Sequence, residues 1–467
     1  MMSKHTYYHV FNFEDEYILF DYYNSVVFEI SKSMYDYLNN HSTYKSDPAY
    51  SDEASSFKQL VNDGYLLSDE ELDEQFEEES AYLSFAPAYK CNLRCRYCFA
   101  KYGSLYHGET REYTKESIVH MLDFFFLQAF PNKKSYRIDF VSGGEPLINF
   151  DVIRQTIDYC EDLIAKKNVN IKIWLCTNGT LLTDEICSYL DEHKVTIGIS
   201  IDGAKNVHDA NRIDALGNGT YERVVQSIRR IHQSKTLSNR FKGIWGLSVL
   251  NDQNMNLIDI VTHHRDIGLK DAQIKIERQV LNNEFDYSKH KEMYLALMKH
   301  FISEAVNGDC TKLRIILNEE DYLGKFLVRI ITNQYTTMRC NAGKCKITIC
   351  PNGDIYPCDS FVGIREMKLG NMLVSPDISK RMSKLTINEC EPCKNCSIRY
   401  LCGGDCYYNS YINTGKVNVV HPKMCDMLRF LCELSVWGCY KLQKTAPDVY
   451  SKLQAEAILI EKVRHQI

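Results

Sequence analysis

From Leu83 to about Lys312 the chain repeats one pattern six times: a short apolar run, then a longer stretch with apolar residues at helical spacing. The strand candidates are "LSFAPAY" (83–89), "YRIDFVSGG" (136–144), "IKIWLCTNG" (171–179), "VTIGISIDG" (195–203), "GIWGLSVL" (243–250) and "AQIKIERQV" (272–280). Amphipathic stretches such as "KESIVHMLDFFFLQAF" and "YERVVQSIRRIHQS" lie between them. Strands that alternate with helices build an α/β fold with a parallel sheet, and six units predict a barrel-like closure. In such a barrel the chemistry sits at the C-terminal ends of the strands.

The flanking regions differ. Residues 1–67 read as a small α+β module. "HVFNFEDEYILFDYYNSVVFEI" carries two or three short strands with a turn near Asp21 to Asn24, and "SKSMYDYLNN" and "EASSFKQLVNDGYLL" are helical, the second closed by Gly64. An acidic linker or helix, 68–82, contains "SDEELDEQFEEES". Residues 335–430 lack periodicity and are dense in cysteine, which predicts a fold organised by bound metal more than by an apolar core. From Leu428 onward the chain reads as helical, giving C-terminal helices over 431–467.

Charge and composition exclude several roles. The net charge of −6 divides into −14 for residues 1–80 and +8 for the rest. A nucleic acid needs a basic footprint and finds none on that N-terminus. No apolar run reaches the roughly 18 residues of a membrane span, and the first residues lack a signal-peptide core, so a cytoplasmic protein is expected. Nineteen cysteines in a reducing compartment argue for thiolate ligation over a disulfide framework.

Their spacing sharpens this. Cys91, Cys95 and Cys98 form C-x3-C-x2-C directly after the first strand. Three thiolates hold three irons of a cuboidal cluster and leave the fourth open for a ligand. A zinc site with a distant fourth ligand is the alternative. Two more strand ends join this rim. "VSGGEP" offers Gly143 and Gly144 for close backbone approach to a ligand and Glu145 as acceptor for an ammonium group; "SIDG" places Ser200 and Asp202. A second field runs Cys340-x12-Gly353-x4-Cys358, then Cys393-x2-Cys396-x5-Cys402-x3-Cys406, with Cys425 beyond and Cys345 as an eighth sulfur. By spacing alone this field suits two four-cysteine clusters or zinc.

Together, Cys91-x3-Cys95-x-Tyr97-Cys98 and Gly143-Gly144-Glu145-Pro146 resemble the signature of the radical S-adenosylmethionine superfamily, in its expected order on a partial (β/α)6 barrel of the TIM type. The resemblance implies that the open iron chelates S-adenosylmethionine and that a 5′-deoxyadenosyl radical abstracts a substrate hydrogen. It assigns the methionyl amine to Gly143, Gly144 and Glu145 and the carboxylate to Ser200 and Arg212 of "HDANR", with Tyr97 packing near the adenine. For Arg212 a surface ion pair is the alternative.

The second field resembles the SPASM extension, for a total of three 4Fe-4S clusters. Cys340, Cys345, Cys358 and Cys406 would hold the first auxiliary cluster, with Cys350 and Cys390 as substitutes for Cys345. Cys393, Cys396, Cys402 and Cys425 would hold the second. Cys160, Cys176, Cys187, Cys310, Cys432 and Cys439 are left as buried apolar cysteines.

Residues 1–67 resemble the winged-helix-like, PqqD-like domain that captures the leader of a ribosomally made precursor. The whole is similar to thioether-forming maturases of cysteine-rich peptides, which implies carbon–sulfur crosslinking and an electron donor such as flavodoxin or ferredoxin. Asp359, directly after Cys358, matches a pair in anaerobic sulfatase-maturating enzymes, where the aspartate is a base; an ordinary turn residue is the alternative. Formylglycine generation, epimerisation and carbon–carbon linkage stay open as reactions, and a non-catalytic peptide-binding metalloprotein as a different class.

Overall fold

The computed structural model describes residues 5–45, 47–68, 79–101, 112–141, 143–233, 244–251, 256–281, 285–374 and 385–465. Most of the acidic run, 69–78, lies outside them. The chain forms two units, one of Met1–Phe76, Val280–Arg339 and Leu385–Ile460, the other mainly of Glu77–Gln279 and Cys340–Lys384. The cysteine-rich region expected as one body over 335–430 is therefore divided between them.

In the first unit, Glu14 (φ 49°) and Asp15 (φ 62°) both adopt the left-handed backbone of a two-residue hairpin turn. They fold β1 (Tyr8–Phe13) against β2 (Glu16–Asp21), and β3 (Val26–Glu29) completes an antiparallel sheet of order β1-β2-β3. The turn expected at Asp21 is built on its buried carboxylate, which accepts the N–H of Tyr23 (3.0 Å), Asn24 (3.1 Å) and, from the far end of the module, Leu66 (2.9 Å). Ser31 caps α1 (Lys32–Asn39), α2 (Ser51–Asn62) follows, and Gly64 (φ 90°) ends it. Leu19, Met34, Tyr37, Leu38, Phe57 and Leu66 are the core of this module.

The second unit contains the barrel. All six predicted strands are present: β4 (Ser80–Phe85), β5 (Ser135–Phe140), β6 (Asn170–Thr177), β7 (Thr196–Ser200), β8 (Ile244–Leu250) and β9 (Asp271–Ile276). The crossovers are α3 (Lys115–Asp123), α4 (Phe150–Lys167), α5 (Asp184–Glu192), α6 (Tyr221–Gln233) and α7 (Leu257–Asp266). The six strands pair in parallel in chain order, as a partial (β/α)6 barrel requires. The predicted helix after Glu116 changes form: after Asp123 it becomes a π-helix, Phe124–Ala129. Phe124, Phe125 and Phe126 are all buried, and the wider turn brings three successive rings to the core that a 3.6-residue turn would splay.

The sheet does not stop at six strands. β10 (Lys346–Ile349) pairs in parallel with β4, and β11 (Asp354–Tyr356) and β12 (Gly370–Asn371) continue antiparallel. The first part of the cysteine-rich region thus belongs to the barrel sheet, because Ile347 and Ile349 bury in the same core as Leu83 and Phe85.

Alternate residues on β4 to β7, among them Leu83, Phe85, Ile138, Phe140, Leu175, Ile197 and Ile199, bury in the helix-facing core. The opposite face is polar and aromatic. Arg137 donates to Asp139 at 2.5 Å and lies 3.9 Å above the Trp174 ring, and Gly198 is paired across from Trp245. A parallel barrel packed for stability alone fills this face with aliphatic side chains.

The first unit resumes with α8 (Ser288–Val306), α9 (Gly324–Thr332), α10 (Pro422–Thr445) and α11 (Pro447–His465) as far as Ile460. α10 crosses the boundary expected at 430/431, so that Cys425 lies in its first turn. It also supports the N-terminal sheet: Trp437 donates to Glu16 (2.7 Å), Lys441 pairs with Glu16 (2.7 Å), and His9 bonds Glu433 (2.9 Å). Among the described residues no helix is long and apolar enough to cross a membrane.

The Trp245 indole occupies the side-chain position of Gly198, since a Cβ there would stand 2.1 Å from Cζ2. Gly198→Ala is expected to destabilise the barrel unit by about 1–3 kcal/mol through overpacking, read as a lower urea midpoint.

Candidate functional site

The loop after β4 carries Cys91, Cys95 and Cys98, all half-buried. The segment after the short helix Lys205–Asn211 grips this loop from one side: Arg94 N–H donates to Ile213 O (2.7 Å), Arg96 N–H to Asn211 O (3.0 Å), and Leu93 bridges Asp214. Inside the loop, Arg94 donates to the carbonyls of Cys91 (2.8 Å) and Leu93 (2.7 Å), and Cys98 N–H to Cys95 O (3.1 Å). The loop that carries the three thiols is thereby fixed by contacts to backbone, and Cys91 Sγ itself accepts Leu93 N–H (3.4 Å).

Gly144 is needed for that loop. A Cβ on it would stand 2.1 Å from Lys90 O and 2.6 Å from Ala88 O, so the close approach expected for a ligand is made by the cysteine loop itself. Glu145 N–H donates to Lys90 O at 2.8 Å. The Glu145 carboxylate, expected to face an ammonium group, is 2% exposed and already accepts Thr177 Oγ1 (2.5 Å), Asn178 N (2.7 Å) and Leu147 N (3.2 Å). Burial raises its pKa against these bonds. Its visible work is to pin the turn after β5 to the end of β6. Asn178, on that end, passes the order on: its Nδ2 donates to Asn92 Oδ1 (2.9 Å) and reaches Cys91 Sγ (3.9 Å).

Asp202, just beyond β7, is fully buried. It accepts Arg212 Nε (3.2 Å) and the Tyr97 hydroxyl (2.6 Å) on one oxygen and Val249 N–H (3.1 Å) on the other. Arg212 is 6% exposed, which excludes the surface ion pair; its Nη1 stands 3.9 Å from Cys95 Sγ and its guanidinium lies over the Tyr97 ring. Burial pushes the Cys95 thiol up to about 11 with Arg212 opposing. His208 completes the support. Its Nδ1 accepts Asp202 N–H (3.4 Å), its Nε2 meets Thr220 Oγ1 (2.9 Å), and Thr220 donates to Arg212 O (2.8 Å). Ser200 ends β7, buried, and hydrogen-bonds Cys176, which is half-buried and not an apolar core thiol as expected; burial raises its pKa to about 12. Cys310 is likewise half-buried, whereas Cys160, Cys187, Cys432 and Cys439 are buried.

On this evidence the residues fit a thiolate-held cluster: an amide and a guanidinium reach two of the three sulfurs, the hydrogen bonds that such sulfurs take.

In the other unit, Cys393, Cys396, Cys402 and Cys425 line one cavity with Ile398, Arg399, Gly404, Val420, Leu428 and Arg429. Gly403 (φ 71°) and Gly404 (φ 79°) turn the chain there in a left-handed backbone. Arg429 donates to Cys396 Sγ at 3.4 Å. The Cys402 thiol, coupled to that of Cys432, is shifted down, while burial pushes Cys425 up to about 11. Four thiols lining one cavity, with an arginine donor on one sulfur, are the residue types an anionic cluster takes, whereas among the described residues no three His, Cys, Asp or Glu stand together closely enough to hold a single metal ion. Of the remaining four, Cys340 is exposed, Cys358 half-buried and Cys345 buried at the barrel core, all in the barrel unit; Cys406 is half-buried in the first unit. Of the substitutes, Cys350 and Cys390 are both buried. Asp359 opens a 3-10 turn whose next residue, Ser360, accepts Arg278 Nη1 (2.8 Å), and Arg278 lies over Phe99, beside Cys98.

Sequence reasoning did not single out Asn178, His208, Arg278 or Arg429. Arg429 was within reach, four residues after Cys425 on a helix. Asn178 and His208 act through loop contacts that no spacing encodes.

Residues 86–260 match the Radical SAM superfamily. The chain is 24% identical over 339 residues to the cysteine-type anaerobic sulfatase-maturating enzyme of Clostridium novyi, covering 69% of this chain and 86% of that protein. It is 26% identical over 353 residues to the serine-type anaerobic sulfatase-maturating enzyme of Bacteroides thetaiotaomicron, covering 69% and 81%. The structure of anSMEcpe with bound AdoMet and the Cp18Cys peptide shares the fold with a TM-score of 0.59 and 19% identity, over 81% of this chain and 99% of that one.

Asp202→Asn is expected to cost about 3–5 kcal/mol, because it leaves the buried Arg212 charge unpaired. Asp202→Asn combined with Arg212→Met recovers part of that loss, so a double-mutant cycle on urea midpoints shows coupling. Burial and Arg212 hold the His208 pKa down to about 3, with Asp209, His263 and Lys205 as further charged neighbours. The unfolded chain, with histidine near 6.5, binds more protons between these values. Stability is therefore lost as pH falls from about 6.5 toward 3, and His208→Gln flattens the pH dependence of the unfolding midpoint in that window.

Proposed function

We propose that this chain, a radical S-adenosylmethionine enzyme through residues 86–260, oxidises a residue of a peptide substrate and joins a cysteine sulfur to carbon in a ribosomally made, cysteine-rich precursor. The observation that carries the reading is the presence in one chain of the clamped Cys91/Cys95/Cys98 loop at the barrel rim and of the four-thiol cavity of the other unit. When bound, the clusters and S-adenosylmethionine supply the one-electron steps: a hydrogen atom leaves the substrate carbon, and one electron is taken up as the carbon–sulfur bond closes.

The chain's own residues orient and exclude. Arg212 and Ser200 hold the cofactor carboxylate, the backbone at Gly143 and Gly144 faces its amine, Glu145 fixes that backbone, and Tyr97 packs near the adenine. Cys393, Cys396, Cys402 and Cys425 form one auxiliary ligand set, and Cys340, Cys345 and Cys358 of the barrel unit belong to another. Asp359 accepts the proton of the substrate thiol, which with the hydrogen atom accounts for the two hydrogens lost. In the N-terminal module β3 is an edge strand, along which an extended leader adds backbone hydrogen bonds. The acidity of residues 1–80 suits a leader that carries Lys. About a fifth of this chain has no counterpart in the anSMEcpe structure, a length that accommodates such a module. A cytoplasmic setting, with a flavodoxin or ferredoxin as reductant, goes with this reading.

A second reading is formylglycine generation. The Cys358–Asp359 pair and the names of the two curated relatives favour it.

Product mass separates the two: a thioether loses two hydrogens and keeps its sulfur, whereas formylglycine made from cysteine loses sulfur and gains oxygen. Replacing Cys91, Cys95 and Cys98 together by Ala is expected to remove about four iron atoms per chain and abolish 5′-deoxyadenosine formation under reductant. Asp359→Asn is expected to keep iron content and slow peptide modification by about 10²-fold or more. Unchanged modification would return Asp359 to the role of a turn residue.

A further inference from the structure

The ring of His9, on β1, is 6% exposed and both of its nitrogens are engaged: Nδ1 meets Ser397 Oγ at 2.8 Å and Nε2 meets Glu433 Oε1 at 2.9 Å. A carboxylate only accepts, so in the neutral ring Nε2 carries the proton and Nδ1 accepts the Ser397 hydroxyl. Ser397 directly follows Cys396, whose sulfur lines the four-thiol cavity. Glu433 stands on α10 one turn after Arg429, the donor to that same sulfur.

The contact is wider than one side chain. Tyr400, buried in the loop between Cys396 and Cys402, has its ring centre 6.1 Å from that of Tyr7 and 6.0 Å from that of Tyr22. The His9 and Phe11 rings stack at 5.5 Å, and Phe13 stands 5.7 Å from Phe430 and 5.4 Å from Trp437 of α10. Tyr7, His9, Phe11 and Phe13 alternate along the strand, so they are one face of it, and all four are buried. An antiparallel sheet can leave a face to water; this face is laid on the cysteine loop and α10.

We propose that the N-terminal sheet is a wall of the four-thiol site and that His9 is a positioning residue for the Cys396–Cys402 loop, so that filling the cavity and ordering β1 favour each other. This rests on the reading of the cavity as a cluster site and deepens it: the module read as the seat of a leader also responds to whether the auxiliary cluster is in place. Ligation at Cys396 and Cys402 fixes both ends of the loop that carries Ser397 and Tyr400. A loop with fixed ends has fewer conformations to lose, so its contacts with His9, Tyr7 and Tyr22 form at lower entropic cost. The effect is reciprocal by linkage.

The test uses the full chain, reconstituted anaerobically with iron and sulfide. Iron and zinc are counted first, in the wild type and in the double variant Cys402→Ala/Cys425→Ala. A loss of about four iron atoms supports the cavity reading; no loss, or stoichiometric zinc in place of that iron, overturns it, and the proposal with it, before any exchange is measured. Hydrogen exchange is then followed at the amides of Tyr8–Phe13. With the cavity emptied they are expected to exchange about five- to 150-fold faster, while β5 of the barrel is unchanged. Ser397→Ala removes only an exposed hydroxyl, and His9→Phe keeps the ring without its hydrogen bonds. In each, emptying the cavity has a smaller effect on β1, whereas a role in packing alone would speed exchange equally in the filled and the empty protein. Equal exchange in the filled and emptied wild type overturns the proposal, as does an undiminished effect in both variants. A second measurement leaves every cysteine in place and follows iron release to a chelator, bathophenanthroline. Ser397→Ala and His9→Phe are expected to release about four iron atoms at least about fivefold faster than the wild type. Unchanged release in both overturns the proposal.

Discussion

The buried carboxylate of Asp202 holds the barrel-rim site together. It ties three otherwise separate pieces of chain: Tyr97 from the cysteine loop, Arg212 from the segment that grips that loop, and the backbone of β8 at Val249. An ion pair in so dry a place adds little net stability, since desolvation offsets most of the Coulomb attraction. Its effect is to specify geometry. With Asp202 satisfied on both oxygens, Arg212 has one place to be, and that place is beside Cys95.

Glu145 performs the parallel task on the other side of the loop. Its oxygens join the ends of β5 and β6, and its backbone joins both to Lys90. Two buried acids therefore bracket three thiols. Each is satisfied by local donors, so the loop that carries the cysteines is held from both sides.

The barrel was legible because its six strands are short apolar runs separated by amphipathic helices, a pattern that backbone geometry leaves little freedom to misread. The cysteine triplet and the second field were legible because ligand spacing is local. What escaped the sequence was non-local. Gly144 reads as a glycine for a ligand, and only the fold reveals that Lys90 O fills the space. Glu145 reads as a free acceptor, yet its partners Thr177 and Asn178 come from the next strand. The three adjacent phenylalanines 124–126 read as helix, and their common burial selects a π turn. The joining of β10 to the barrel sheet is set by edge pairing, which residues 335–430 do not advertise.

α10 serves two neighbours with two faces. Cys425, Arg429 and Cys432 stand at spacings of four and three along one stripe, near the thiol cavity, while Glu433, Trp437 and Lys441 hold the N-terminal sheet. Within one unit the same helix therefore carries side chains that hold the N-terminal sheet and side chains that line the thiol cavity, so a change of its residues at one end is felt by both.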